Sequence, residues 1–150
     1  MASRFEEQPD QPQGKVLFYG DSDISHWDVR KAFPSAAKCG VSGATCEEAA
    51  AYAARARERF APLRVVFVAG ENDLAQGRSP AEVFAAFRML HSALAVPMLY
   101  LTCKPEPATS DLHAAYREYD ALVRENMDDM ELVVEDATRW APASMQAQSP

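Results

Sequence analysis

Ser22 and Asn72 are the residues on which a reaction can be built, and each follows a short apolar run ending in or just before glycine. Val16-Leu17-Phe18-Tyr19 leads into Gly20-Asp21-Ser22-Asp23, and Val65 to Ala69 leads into Gly70-Glu71-Asn72-Asp73. A serine at the end of a buried strand and the start of a helix lies beside free backbone N–H groups and the positive end of the helix dipole. That setting suits a nucleophile whose reaction builds up negative charge. Acyl transfer needs such a nucleophile, a base for its proton, and donors aimed at the developing oxyanion. Asn72 offers an uncharged side-chain donor. The turn Gly40-Val41-Ser42-Gly43 offers a bare backbone N–H at close approach. For the base there are only three histidines. His113, in the first turn of the helix after the fourth strand, is the best substitute base, because that position lies at the same sheet edge. Its drawback is the positive helix end, which disfavours imidazolium. His26 follows Ser22 by four residues, and a solvated or packing role suits it better. His91, late in its helix, reads as structural. Asp21 and Asp73 read as turn-holding residues that support the site.

The elements that must position these groups follow from periodicity. Apolar runs without alternation at 16–19, 65–69, 98–102 and 132–134 predict strands buried on both faces of a parallel sheet, with a weaker strand at 36–41. Between them lie a short helix around Ile24 to Phe33, stopped by Pro34, and a helix from the capping box Thr45-Cys-Glu-Glu48 to Phe60. A second capping box, Ser79-Pro-Ala-Glu82, opens a helix to Leu94, and another helix runs from Ser110 to Asn126. Arg55, Arg57 and Arg59 read as a solvated helix face, and Trp27 as the anchor of the short helix. Strands alternating with helices predict an α/β fold: a three-layer αβα sandwich around a five-stranded parallel, flavodoxin-like sheet of order 2-1-3-4-5. That order puts the switch point between the first and third strands, so the turns bearing Ser22 and Asn72 meet although fifty residues apart. The helix that should follow the fifth strand is missing. One sheet face is therefore expected to expose apolar surface, with self-association or a continuation beyond Pro150 as the consequence. Residues 1–13 read as a disordered N-terminal arm, 14–136 as the domain, and 137–150 as an irregular tail.

Three segments resemble the blocks of the SGNH/GDSL hydrolases, a family of serine esterases, lipases and acylhydrolases. Gly20-Asp21-Ser22 resembles the first block, Val41-Ser42-Gly43-Ala44-Thr45 the second and Gly70-Glu71-Asn72-Asp73 the third, each after a strand. The resemblance covers roughly Val16 to Asp136. It implies Ser22 as nucleophile, Gly43 and Asn72 as oxyanion donors, and a small acyl or acetyl ester as substrate. The family's last block, an Asp-x-x-His after the fifth strand, has no counterpart between Asp136 and Pro150. General-base assistance is typically worth ~10²–10⁴-fold, so the chain is expected to be an impaired esterase. The alternative is a non-catalytic binding or assembly module on the same scaffold. A remote alternative takes Asp21 and Asp23 as the aspartates of a haloacid-dehalogenase-like phosphatase, with Thr102 as the strand-end hydroxyl. That reading leaves the Gly70–Asp73 turn unexplained.

Composition excludes other classes. With a net charge of −7 and no basic cluster, a nucleic-acid surface is not expected. No apolar run approaches membrane-spanning length, and the polar N-terminus is no signal peptide. Cys39, Cys46 and Cys103 follow no ligand spacing, so reduced thiols in a cytoplasmic protein are expected, with no metal and no cofactor.

Overall fold

The computed structural model describes residues 2–127 and the backbone of 132–135. Four strands form a parallel sheet in the order β2-β1-β3-β4: β1 Val16–Gly20, β2 Ala37–Gly40, β3 Arg64–Val68 and β4 Met98–Leu101. Gly20 stands opposite both Gly40 and Val68, so the ends of the three neighbouring strands are level. A short β5, Leu132–Glu135, pairs parallel with β4 and sets Glu135 opposite Leu101. The expected absence of a helix after β5 concerns residues outside those described.

Alternate residues of each strand feed two separate cores. Leu17, Tyr19, Val65, Phe67, Met98 and Tyr100 join the larger one, and Phe18, Val66, Val68, Leu99 and Leu101 the smaller. The larger core is closed by α3 (Cys46–Phe60), α5 (Pro80–Leu94) and α6 (His113–Asn126). In α3 the apolar stripe Ala49, Ala53, Ala56 and Phe60 is buried, and small residues let α3 lie close to the sheet. Thr45 caps its start by accepting the Glu48 N–H at 3.0 Å. Ser79 and Glu82 complete both halves of the capping box that opens α5. Among the described residues, the smaller core is closed by α1 (Ser22–His26) and α2 (Val29–Ala32). The one helix expected over 24–33 is thus two, broken where Trp27 adopts an extended backbone and turns its ring onto Phe18. A brief α4, Glu71–Ala75, follows β3, and the start of the 110–126 helix is a 3-10 turn, Pro107–Leu112.

Composition reads the N-terminal segment as a disordered arm; it packs onto the body instead. Phe5 is fully buried against Tyr19 and Tyr52, and its carbonyl accepts the Arg59 guanidinium at 3.1 Å. Arg59, expected on a solvated face, is correspondingly sunk between Tyr52 and Asp10. A single aromatic in a polar stretch is enough to fix it, because a fully buried Phe is worth ~1.5–3 kcal/mol in transfer alone.

Candidate active site

The turn after β1 is tight enough to require glycine. Gly20 has φ +151, and a Cβ there would lie 1.9 Å from the Val68 carbonyl oxygen. The Asp21 N–H then donates to that same oxygen at 3.0 Å, which ties the first turn to β3. The Asp21 carboxylate caps α1 by accepting the Asp23 N–H at 3.0 Å. Ser22 is consequently the first residue of the helix, half-buried.

The second turn hangs from the first through the Val41 N–H, which donates to the Gly20 carbonyl at 2.9 Å. Gly43 is exposed, with φ +75 and open space where a side chain would stand. The third turn begins at Gly70, whose φ is +132 and whose Cβ would meet the Tyr119 ring at 2.3 Å. Asn72, half-buried, donates Nδ2 to the Ala44 carbonyl at 2.9 Å, one residue past Gly43. A carboxamide carries two N–H donors, so this bond uses one and leaves the other. Buried Asp73 accepts the N–H groups of Cys46 at 2.6 Å and Glu47 at 3.3 Å, which fixes the start of α3 to the same turn. The turns carrying Ser22, Gly43 and Asn72 are therefore joined to one another at one sheet edge.

The sequence reading missed the charged cluster beside them. Carboxylate oxygens of Asp21, Asp23 and Glu71 lie within 4.8 Å of one another. Buried Lys104 reaches across with its Nζ 2.9 Å and 3.2 Å from the two Asp23 oxygens and 3.3 Å from Glu106. Its backbone N–H donates to Glu71. Burial pushes the Glu71 carboxyl up to about 7, Asp23 adding to this and Lys104 opposing it. Burial also raises Asp21 well above the usual carboxylate range, with Asp23 and Glu71 adding to it. Burial by itself would lower Lys104, but Glu71 and Asp23 outweigh it, so the ammonium is held more firmly than usual. The three carboxylates have the donor set for a small hard cation, yet the Lys104 ammonium already supplies positive charge there. The available signal was Glu71 inside the third turn and a lysine three residues past β4, two positions that only the topology makes neighbours.

The histidines stand apart from this edge in differing degrees. His113 donates Nε2–H to the Glu106 carbonyl at 2.7 Å, leaving Nδ1 as the basic nitrogen. Glu106, whose carboxylate is 3.3 Å from Lys104, connects it to the cluster. His26 is exposed, and His91 stacks on Phe87 in α5. Among the described residues, no hydrogen bond joins an imidazole to Ser22. Nor, among them, is any helix long and apolar enough to cross a membrane.

No protein-family model matches the chain, and neither does any curated protein. Solved structures do. A member of the lipolytic G-D-S-L family from Veillonella parvula superposes with a TM-score of 0.71 at 15% identity, covering 91% of this chain and 85% of that one. AlinE4, an SGNH-hydrolase family esterase, gives 0.64 at 19% identity over 83% of this chain and 76% of its own. An acetyl esterase, in a serine-to-alanine mutant form with an acetate ion, gives 0.69 at 15% identity over 91% and 87%. The structural neighbours of this α/β fold are thus SGNH/GDSL-family esterases, lipases and acylhydrolases, alike over most of the chain and distant in sequence.

Proposed function

We propose that the chain is an SGNH-type serine ester hydrolase for a small acyl or acetyl ester. Ser22 is the nucleophile; the free N–H of Asn72 and the backbone N–H groups of Gly43 and Ser22 receive the oxyanion. In the first half-reaction Ser22 Oγ bonds to the acyl carbon as its proton passes to a base. The alkoxide leaves with a proton, and water then releases the acid. The observation that carries this reading is the bond from Asn72 to the Ala44 carbonyl, which holds the amide beside Gly43. The first turn is tied to the same edge through Asp21 and Val68. The acetyl esterase neighbour supports a small acyl group. Asp21 and Asp73 position the turns, and His113 is the substitute base, its free Nδ1 the nitrogen that would accept the proton.

A second reading has its own support. With no imidazole bonded to Ser22 among the described residues, the serine lacks a base, and the same group of N–H donors suits binding of an ester or carboxylate without turnover. A fluorophosphonate probe separates the two. Labelling of the full chain that disappears in Ser22→Ala supports the hydrolase. An unlabelled, folded chain that still binds acetate or an acetyl ester points to the binding module.

A further inference from the structure

Ser22 sits on a helix too short to hold itself. α1 has five residues, and isolated helices below about 12–15 residues are marginal even in favourable sequences. Its far end is fixed from β2. Lys38 Nζ donates to the Ser25 and Trp27 carbonyls at 2.8 Å each. A Cβ on Gly40 would lie 2.5 Å from the Ser25 nitrogen, so α1 lies hard against that strand. At the near end, the Asp21 N–H bond to Val68 fixes the backbone before Ser22. The residue after it, Asp23, is held by Lys104, 81 positions away in the chain and just past β4.

We infer that Lys104 is a positioning residue of the site, locking the turn that carries Ser22 to the turn that carries Asn72. The inference rests on the hydrolase reading of those two residues. Lys104 grips the neighbour of each. Its Nζ lies 2.9 Å and 3.2 Å from the two oxygens of Asp23, next after Ser22. Its backbone N–H donates to Glu71, next before Asn72. The grip also answers a repulsion. Carboxylate oxygens of Asp21, Asp23 and Glu71 lie within 4.8 Å of one another, and like charges that close drive the two turns apart unless a cation offsets them. Lys104 is buried, so little water screens either the repulsion or the counter-charge. A misplacement of about 1 Å in a reacting group can cost ~10²-fold in rate. Lys104 need not touch the ester: it sets the separation of the groups that do.

The test separates placement from stability. Lys104→Met strands Asp23, so the informative chain is Lys104→Met/Asp23→Asn, which lacks the buried unpaired charge. The double variant should recover most of the melting temperature lost by Lys104→Met. Its turnover of para-nitrophenyl acetate should nonetheless stay ~10²-fold below the parent's, with KM unchanged. Hydrogen exchange gives a readout independent of chemistry. The Ser25 and Leu74 amides, which close onto the Asp21 and Gly70 carbonyls, should exchange about tenfold faster in the double variant, with Leu90 in α5 unchanged. Turnover that recovers along with the melting temperature would reduce Lys104 to a stabilising role and overturn the inference. So would Ser25 and Leu74 rates equal to the parent's, whatever the activity. A double variant no more stable than Lys104→Met would also overturn it, since Asp23 would then not be the group Lys104 answers. A parent inert to both the ester and a fluorophosphonate sinks the hydrolase reading instead, and the exchange rates alone then decide for or against the lock.

Discussion

At the scale of single residues, the chemistry beside Ser22 is governed by how few charges the cluster can hold. Lys104 and Asp23 are both nearly buried, at 7% and 13% side-chain exposure, so neither has water to replace the other. Removing one member of such a pair costs ~3–5 kcal/mol, because it strands the partner. Lys104→Met should therefore destabilise the fold by about that much at neutral pH. Urea unfolding of the variant and the parent at neutral pH measures it. Glu71 gives a separate pH signature. Its carboxyl is raised from 4.5 to about 7, chiefly by burial, so between those values the unfolded chain has lost a proton that the folded chain keeps. Stability must then fall as pH rises through that window and level off above it. Glu71→Gln removes the contribution. Relative to the parent, the variant should gain stability progressively from pH 4.5 to 7, and equal gains at both ends would sink the assignment. Under the proposed hydrolase reading, Asn72→Ala should lower esterase turnover by ~10²–10³-fold, the usual effect of losing one oxyanion donor. A change in KM with turnover intact would instead place the amide in substrate binding alone.

At the scale of elements, the turns are where the backbone dictates sequence most strictly. Gly70 combines φ +132 with a Tyr119 ring 2.3 Å from where a Cβ would stand, and Tyr119 is itself fully buried with its hydroxyl on the Ala69 carbonyl. Gly70→Ala should accordingly destabilise by more than the ~1–3 kcal/mol of ordinary backbone strain, since the ring has nowhere to retreat. Gly43, with open space at its Cβ position, should tolerate alanine with a loss set by φ +75 alone. Comparing the two melting temperatures checks the argument; similar losses would refute it. The same turns show why the meeting of the candidate-site turns was readable from sequence. Gly20-Asp21-Ser22 and Gly70-Glu71-Asn72-Asp73 announce themselves as strand-end turns through local residue types, and right-handed parallel connections make them neighbours. Glu71 with Lys104 was not readable, because nothing local distinguishes a buried lysine after β4 from a solvated one. The break at Trp27 was hidden for a related reason. The stretch 24–33 carries apolar residues dense enough for one helix, and it is the pull of Trp27 onto Phe18 that divides it.

At the scale of the whole molecule, the two sheet faces are held in different ways. The face under α3, α5 and α6 is closed by long amphipathic helices, and its order was legible from their stripes. The N-terminal segment that seals the same core was not, since one Phe among Glu, Gln and Pro gives no period to read. Its attachments are numerous once placed. Glu6 meets Arg55 at 3.0 Å and also Tyr52, Arg4 meets Glu48 at 2.7 Å, and Arg59 bridges to Asp10 at 3.0 Å. Most of these ion pairs are half-exposed and worth ~0–1 kcal/mol each. Phe5 is different: it is wholly buried, its ring 5.0 Å from Tyr19 and 5.7 Å from Tyr52. If the ring is what fastens the segment, Phe5→Ala should cost ~3–5 kcal/mol, the range for large aromatic-to-alanine changes in a core. Glu6→Gln should cost a fraction of that. The denaturant midpoint should fall in Phe5→Ala, and the slope should fall with it to the extent that the released segment no longer buries surface in the folded state. Protease cleavage within residues 1–13 should appear in Phe5→Ala well before any cut in α3. Equal resistance in the two chains would mean that the charged contacts, not the aromatic one, hold the N-terminus down.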